Sequence, residues 1–164
     1  MKLTAKILSK LADNVSTDDM SSAKYVISTA PEELAKICMR DLDPTFPDKM
    51  AQGGFLVAGK NFGCGSAREQ AVQSVKQKGI GAIVAKSVAR IYYRNCINEG
   101  LMPIVCPEAV DAINDGDQVS IDVEEGTITI CGKSYSFAKF PPFVMDILSC
   151  GGLIASVRRE VSHK

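Results

Sequence analysis

The spacing of apolar positions changes along the chain, and each change predicts an element. Lys6 to Leu11 reads as a first strand that turns at Asp13-Asn14. Thr29-x-x-Glu32 has the pattern of a capping box, with Pro31 in a first helical turn where its missing N–H costs little. Leu34, Ile37 and Cys38 follow at helical spacing, and Asp43-Pro44 with Phe46-Pro47 ends that helix in a connecting loop. The unbroken apolar run Phe55-Leu56-Val57-Ala58 predicts a buried strand. Beyond a glycine-rich loop, Ala71, Val72 and Val75 form one face of a helix stopped near Gly79. Ala82 to Ala85 is a second buried strand, Val88 to Asn98 a helix ending near Gly100, and Met102 to Val105 a further strand.

Past that point the period falls to two. Val119, Ile121 and Val123 alternate with polar residues, and Glu125-Gly126 turns the chain into Thr127-Ile128-Thr129-Ile130. Gly132-Lys133 turns it again toward Tyr135 and Phe137, which predicts a small antiparallel meander with one buried face. Pro142 to Leu148 reads as a last helix ended by Gly151-Gly152, and Arg158-Arg159 as part of a solvated tail. The 164 residues suit one domain, 1–164, of α/β class: a mixed sheet with flanking helices and a late antiparallel meander.

Composition narrows the function more than the fold. Lys plus Arg and Asp plus Glu both number 19, so no overall field draws the chain to nucleic acid or acidic lipid. No apolar run approaches the ~20 residues of a membrane span, and the charged start Met1-Lys2-Leu3-Thr4-Ala5-Lys6 lacks the apolar core of a signal peptide. A cytoplasmic protein is expected. The six cysteines (Cys38, Cys64, Cys96, Cys106, Cys131, Cys150) are scattered, with no C-x-x-C and no zinc or cluster spacing. They read as reduced, mostly buried thiols, with Cys64 set apart by its place in the glycine loop.

The candidate chemistry lies in Gly59-Lys60-Asn61-Phe62-Gly63-Cys64-Gly65-Ser66-Ala67-Arg68-Glu69. A strand runs into glycines that let the backbone approach a ligand, and a hydroxyl and a guanidinium arrive where the next helix begins. Spacing excludes a P-loop, because Asn61 follows Gly59-Lys60, and a dinucleotide fingerprint, because Arg68 stands where Gly or Ala is needed. The nucleophile elbow is excluded as well. The sole histidine, His163, lies at the far C-terminal end, so no Ser-His pair is expected. What remains is a cradle for a carboxylate or phosphate with Ser66 in it, or a glycine turn in which Ser66 caps the helix.

This loop resembles the active-site loop of small subunits in the aconitase superfamily, those of the 3-isopropylmalate dehydratase type in particular. Four further segments match in the same order: Asp13-Asn14-Val15-Ser16-Thr17-Asp18; Tyr25 to Ala35; Ala85 to Asn95 with Asn98-Glu99-Gly100-Leu101; and Gly151-Gly152-Leu153-Ile154. The resemblance covers nearly the whole chain and implies the swivelling β/β/α fold. It also implies reversible removal of water from a hydroxy-dicarboxylic acid, most simply isopropylmalate in leucine biosynthesis. The alternatives are small subunits acting on dimethylmalate, citramalate or homoaconitate, and a non-catalytic dicarboxylate-binding module. No cofactor is expected on this chain: the [4Fe-4S] cluster belongs to a separate large subunit, with which a heterodimer or heterotetramer is expected.

By motif position the resemblance makes Ser66 the base and Arg68 the grip on a substrate carboxylate, with Gly65 beside them. Gly63, Cys64, Asp13, Asn14, Thr17 and Asp18 are implied as supports of the loop. Ile27, third in Tyr25-Val26-Ile27, stands where members acting on an extra carboxylate carry arginine, so an alkyl substituent is expected. Arg90 and Arg94 share a helix face and read as solvated arginines or as contacts to the partner. Two departures stand out. Gln70 replaces a common histidine and cannot titrate, and Ala67 replaces a second serine.

Overall fold

The computed structural model describes residues 1–50 and 53–162; His163 lies outside them. Its frame is one seven-stranded sheet in the order β4-β3-β2-β1-β5-β6-β7. The strands are β1 (Lys2–Leu11), β2 (Gly54–Ala58), β3 (Ile80–Ala85), β4 (Met102–Val105), β5 (Gln118–Asp122), β6 (Thr127–Ile130) and β7 (Lys133–Ser136). Strand β1 joins two kinds of pairing. Its first half, Lys2 to Lys6, runs antiparallel to β5, and its second half, Ile7 to Leu11, runs parallel to β2. Strands β2, β3 and β4 continue the parallel pairing, while β5, β6 and β7 form the expected meander. The first strand begins earlier than the apolar pattern from Lys6 predicts, because Lys2 to Lys6 lie at the part-exposed end that pairs with β5.

The apolar run of β2 is explained by burial on both faces. Phe55 and Val57, with Ala82 and Val84 of β3, pack into one cluster; Leu56 and Ala58, with Ile83 and Ala85, pack into another. In β5 and β6, Val119, Ile121, Ile128 and Ile130 face only the first cluster, so their sequence alternates.

Helices cover both faces. They are α1 (Thr17–Met20), α2 (Pro31–Ile37), α3 (Phe46–Lys49), α4 (Glu69–Gln77), α5 (Arg90–Glu99), α6 (Pro107–Ala112), α7 (Pro142–Ser149) and α8 (Leu153–Ser162). Ala71, Val72 and Val75 of α4 join the second cluster, and Val144 and Leu148 of α7 the first.

Three expectations need correction. Thr29 does not cap α2: Ala30 is the N-cap, extended at φ −61° and ψ 134° as a residue before proline must be. The capping box forms instead at Ser16, whose hydroxyl takes the Asp19 N–H while the Asp19 carboxylate takes the Ser16 N–H. The region of Phe46-Pro47 is one turn of helix rather than loop, with proline at its start. The segment holding Arg158-Arg159 is the helix α8, which buries Ser156 and turns its remaining side chains outward. Helix α6 carries too short a periodic run, only Ala109 and Val110 buried, to have been read from the sequence.

Candidate active site

Three loops leave the C-terminal ends of β1, β2 and β3, the edge where open parallel sheets gather their ligand sites. The β2 loop is clamped between the other two. On one side the Asp13 carboxylate accepts the Lys60 N–H at 2.7 Å, the Asn14 N–H reaches the Lys60 carbonyl at 2.8 Å, and Asn61 Nδ2 donates to Asn14 Oδ1 at 2.9 Å. The Gly63 N–H meets the Val15 carbonyl at 2.8 Å and the Thr17 N–H meets the Cys64 carbonyl at 2.9 Å. The Thr17 hydroxyl, buried, donates to the Ser66 carbonyl at 2.8 Å. On the other side Ser87 and Ala89 bond the backbone of Asn61 and Phe62. A loop of small residues is thereby held by hydrogen bonds where it has no core of its own.

Gly63 shows why the loop needs glycine. Its φ is +79°, and a Cβ there would stand 2.2 Å from Cγ of Tyr92. Tyr92 fills the space: fully buried, it meets Phe62 edge-on with ring centroids 5.5 Å apart. Burial pushes its phenol well above the ordinary range, so it stays neutral.

Ser66 and Arg68 line one cavity with Thr17, Gly63 and Gly65, about 220 Å³ in volume and closed on its far side by α5 through Arg90 and Tyr92. Helix α4 begins at Glu69 with Arg68 as its N-cap, so Ser66 lies two residues upstream and does not cap it. The amides of Gly65, Ser66 and Ala67 donate to no described residue. The Arg68 guanidinium is held by Asp18 at 2.7 Å through Nη2 and by the Ser21 carbonyl at 3.3 Å through Nη1. It also borders a second hollow lined by Ser21, Ala23, Val26 and Gln70. A hydrogen bond with Glu99 raises the Glu69 carboxyl above the usual range.

Ile27 is not brought into either hollow. Its side chain is 87% exposed at the rim of the molecule. Cys64 is half-buried with Sγ 3.4 Å from the Asn14 carbonyl. Two contributors escaped sequence reasoning. Ser87 and Tyr92 lie far along the chain from the loop and carry no local signal. The Ser16-x-x-Asp19 box, which orients Thr17, was legible as a capping pattern.

The profile of the aconitase C-terminal domain family matches residues 10–109. The 3-isopropylmalate dehydratase small subunit of Halothermothrix orenii is 42% identical over 165 residues, covering 99% of both chains. That of Caldicellulosiruptor bescii is 47% identical over 154 residues, covering 93% of both. The chain belongs to the aconitase C-terminal domain family, among the 3-isopropylmalate dehydratase small subunits. The crystal structure of 3-isopropylmalate dehydratase from Methanocaldococcus jannaschii superposes on this family member with a TM-score of 0.90 at 42% identity, covering 98% of this chain and 95% of that one. The mixed-sheet architecture expected for the family is therefore present.

The described residues of this chain do not fit an iron–sulfur cluster. Among the described residues no three His, Cys, Asp or Glu side chains are grouped to hold a metal. Cys38, Cys96 and Cys106 are buried, Cys64 and Cys150 half-buried and Cys131 exposed, so the expectation of mostly buried thiols holds for only part of the set. No described helix is long and apolar enough to cross a membrane.

Proposed function

We propose that this chain is the small subunit of a hydro-lyase of the 3-isopropylmalate dehydratase type, serving leucine biosynthesis together with a large subunit. The observation that carries the reading is the meeting of Ser66, uncommitted loop amides and the Arg68 guanidinium in one small cavity. At about 220 Å³ it is smaller than the ~300–1,000 Å³ of a complete ligand pocket, which suits a site finished by a second subunit.

The reaction takes a proton from the carbon beside a carboxylate while hydroxide leaves the neighbouring carbon. Arg68 holds the carboxylate through the N–H groups that Asp18 and the Ser21 carbonyl leave unused. Ser66 Oγ receives the proton. A serine hydroxyl is a weak acid, so its anion must be stabilised; the amides of Gly65 and Ala67 and the Arg68 charge supply that environment. Thr17, by anchoring the Ser66 carbonyl, keeps the hydroxyl in place without constraining its oxygen. Gln70 leaves no titratable relay at the start of α4. The departure of hydroxide is assigned to the large subunit, which would also carry the [4Fe-4S] cluster; heterodimer and heterotetramer both accommodate this division.

Ile27 is proposed to meet the alkyl substituent at the rim when the large subunit closes the site. Isoleucine offers nothing to a charged arm, whereas each buried methylene of an alkyl arm gains ~0.8 kcal/mol. The test is co-expression with the large subunit, anaerobic cluster reconstitution, and assay on a panel of substituted malates and tricarboxylates. Alkyl-malate turnover well above that on homoaconitate is expected, with Ile27→Arg moving the ratio toward the tricarboxylate. Equal efficiency on both classes would show that the loop does not read the substrate. No turnover on any substituted malate would overturn the dehydratase reading.

A further inference from the structure

Arg90 lines two hollows. One is the Ser66 cavity; the other is a larger groove of about 720 Å³ between α5 and α7. The groove has an apolar floor of Val88, Ile97, Val144 and Ile147. Its rim is Arg90, Arg94 and Phe143, the last 67% exposed. Between the two hollows Ile91, on the cavity wall, is 54% exposed. The surface from Ser66 across α5 to α7 is thus continuous, partly apolar, and edged by two arginines one helical turn apart. Among the described residues neither arginine is in an ion pair, whereas Arg68 is paired with Asp18.

Two exposed guanidinium groups along the α5 wall of an apolar trough do not call for a merely hydrophobic occupant. They call for a bulky apolar side chain with carboxylates beside it on the α5 side. Continuity gives the owner of that surface: whatever completes the Ser66 cavity must approach from its open side, and Arg90 belongs to both. We propose that the α5–α7 groove is the anchoring part of the large-subunit interface, taking an apolar side chain of that subunit whose neighbouring carboxylates pair with Arg90 and Arg94 along α5. This rests on the reading of the chain as a small subunit.

The test uses Arg94 and Phe143, which lie in the groove and outside the Ser66 cavity. The dissociation constant for the large subunit is measured with wild type, Arg94→Glu, Phe143→Ala and Val157→Asp, the last on the exposed face of α8. Circular dichroism checks that each variant is folded. Arg94→Glu is expected to weaken binding at least tenfold and to flatten its salt dependence, and Phe143→Ala to weaken it several-fold. Turnover at saturating large subunit should be unchanged for both, and Val157→Asp should bind as wild type. Unchanged affinity for both groove variants, beside normal wild-type assembly and activity, overturns the interface and leaves the dehydratase reading standing. So does loss of binding by Val157→Asp alone, or a self-association of the chain that Phe143→Ala abolishes. Failure of wild type to bind the large subunit at all overturns both.

Discussion

The two halves of the sheet solve different problems. Strands β2 and β3 run parallel and are buried on both faces, so their backbone ends are fixed by two layers of packing, and β1 joins them through the parallel pairing of its second half with β2. From β5 to β7 the strands are antiparallel and buried on one face, with the edge strand β7 largely exposed. The loops of the candidate site leave the ends of β1, β2 and β3. A loop rich in glycine and small residues has little to pack, so its geometry must be inherited from what it is attached to. Doubly buried strands provide that, and the meander, whose Thr129 and Ser134 hydroxyls pair on the open face, does not.

The sharpest way to break this contrast is at Ser66. Ser66→Ala should lower turnover of the assembled enzyme by at least ~10²–10⁴, the range for losing a proton-transfer group. Since Ser66 does not cap α4, stability should move by no more than about 0.5 kcal/mol. Arg68→Lys should also be severe, because an ammonium lacks the planar fork. Near-normal turnover with Ser66→Ala in the reconstituted complex would remove it from the chemistry.

Next comes a pair of glycines, one in each half. Gly63 and Gly132 share a φ of +79°, but a Cβ at Gly132 meets nothing within 4 Å while one at Gly63 collides with Tyr92. Gly132→Ala should therefore cost only ~1 kcal/mol of backbone strain. Gly63→Ala should cost about 2–5 kcal/mol, adding overpacking to strain. Equal midpoints in urea for the two variants would mean the loop is not braced by α5.

Thiol labelling sharpens the same contrast more gently. Cys131 is exposed at the β6–β7 turn, whereas Cys38 is buried with its thiol pushed up to about 12 by desolvation. Burial raises the Cys96 thiol as well. Because the thiolate is the reacting form, Cys131 should be labelled first near neutral pH, with Cys38 and Cys96 reacting only on unfolding. Labelling of Cys38 at the rate of Cys131, followed by mass spectrometry, would show the α2–α4 layer opening in the native state. The smallest effect is expected at the meander surface, where Thr129→Ala should cost no more than ~0.2–1 kcal/mol by thermal melt and leave turnover alone.

Much of the fold was legible because its signals are local. Strands β4 and β6 follow from runs of a few residues, and α5 from apolar spacing ended by a glycine. Helix α8 was missed although Leu153, Ile154, Val157 and Val161 recur at helical spacing, because the Arg158-Arg159 pair reads as a solvated tail. In the structure that apolar stripe is exposed, with only Ser156 buried. The misplaced capping box has a similar origin. Thr29 and Ser16 offer the same kind of hydroxyl, but proline at position 31 forces Ala30 into the extended cap, leaving Thr29 one residue too early.

For the site, the sequence by itself determined the inventory: a hydroxyl and a guanidinium two residues apart in a glycine loop, and cysteines too scattered to be grouped as ligands. Only tertiary structure decided who holds them. Thr17 reaches the Ser66 carbonyl across 49 residues, and Asp18 and Ser21 arrive at Arg68 by the same route. That meeting exists because β1 lies beside β2, placing the loops that leave their ends side by side. Such pairing is selected by burial on both faces of the parallel half of the sheet, a sum over distant residues that no local propensity encodes. The outward Ile27 was settled in the same way, because an apolar side chain in a loop is buried only if some other element comes to cover it.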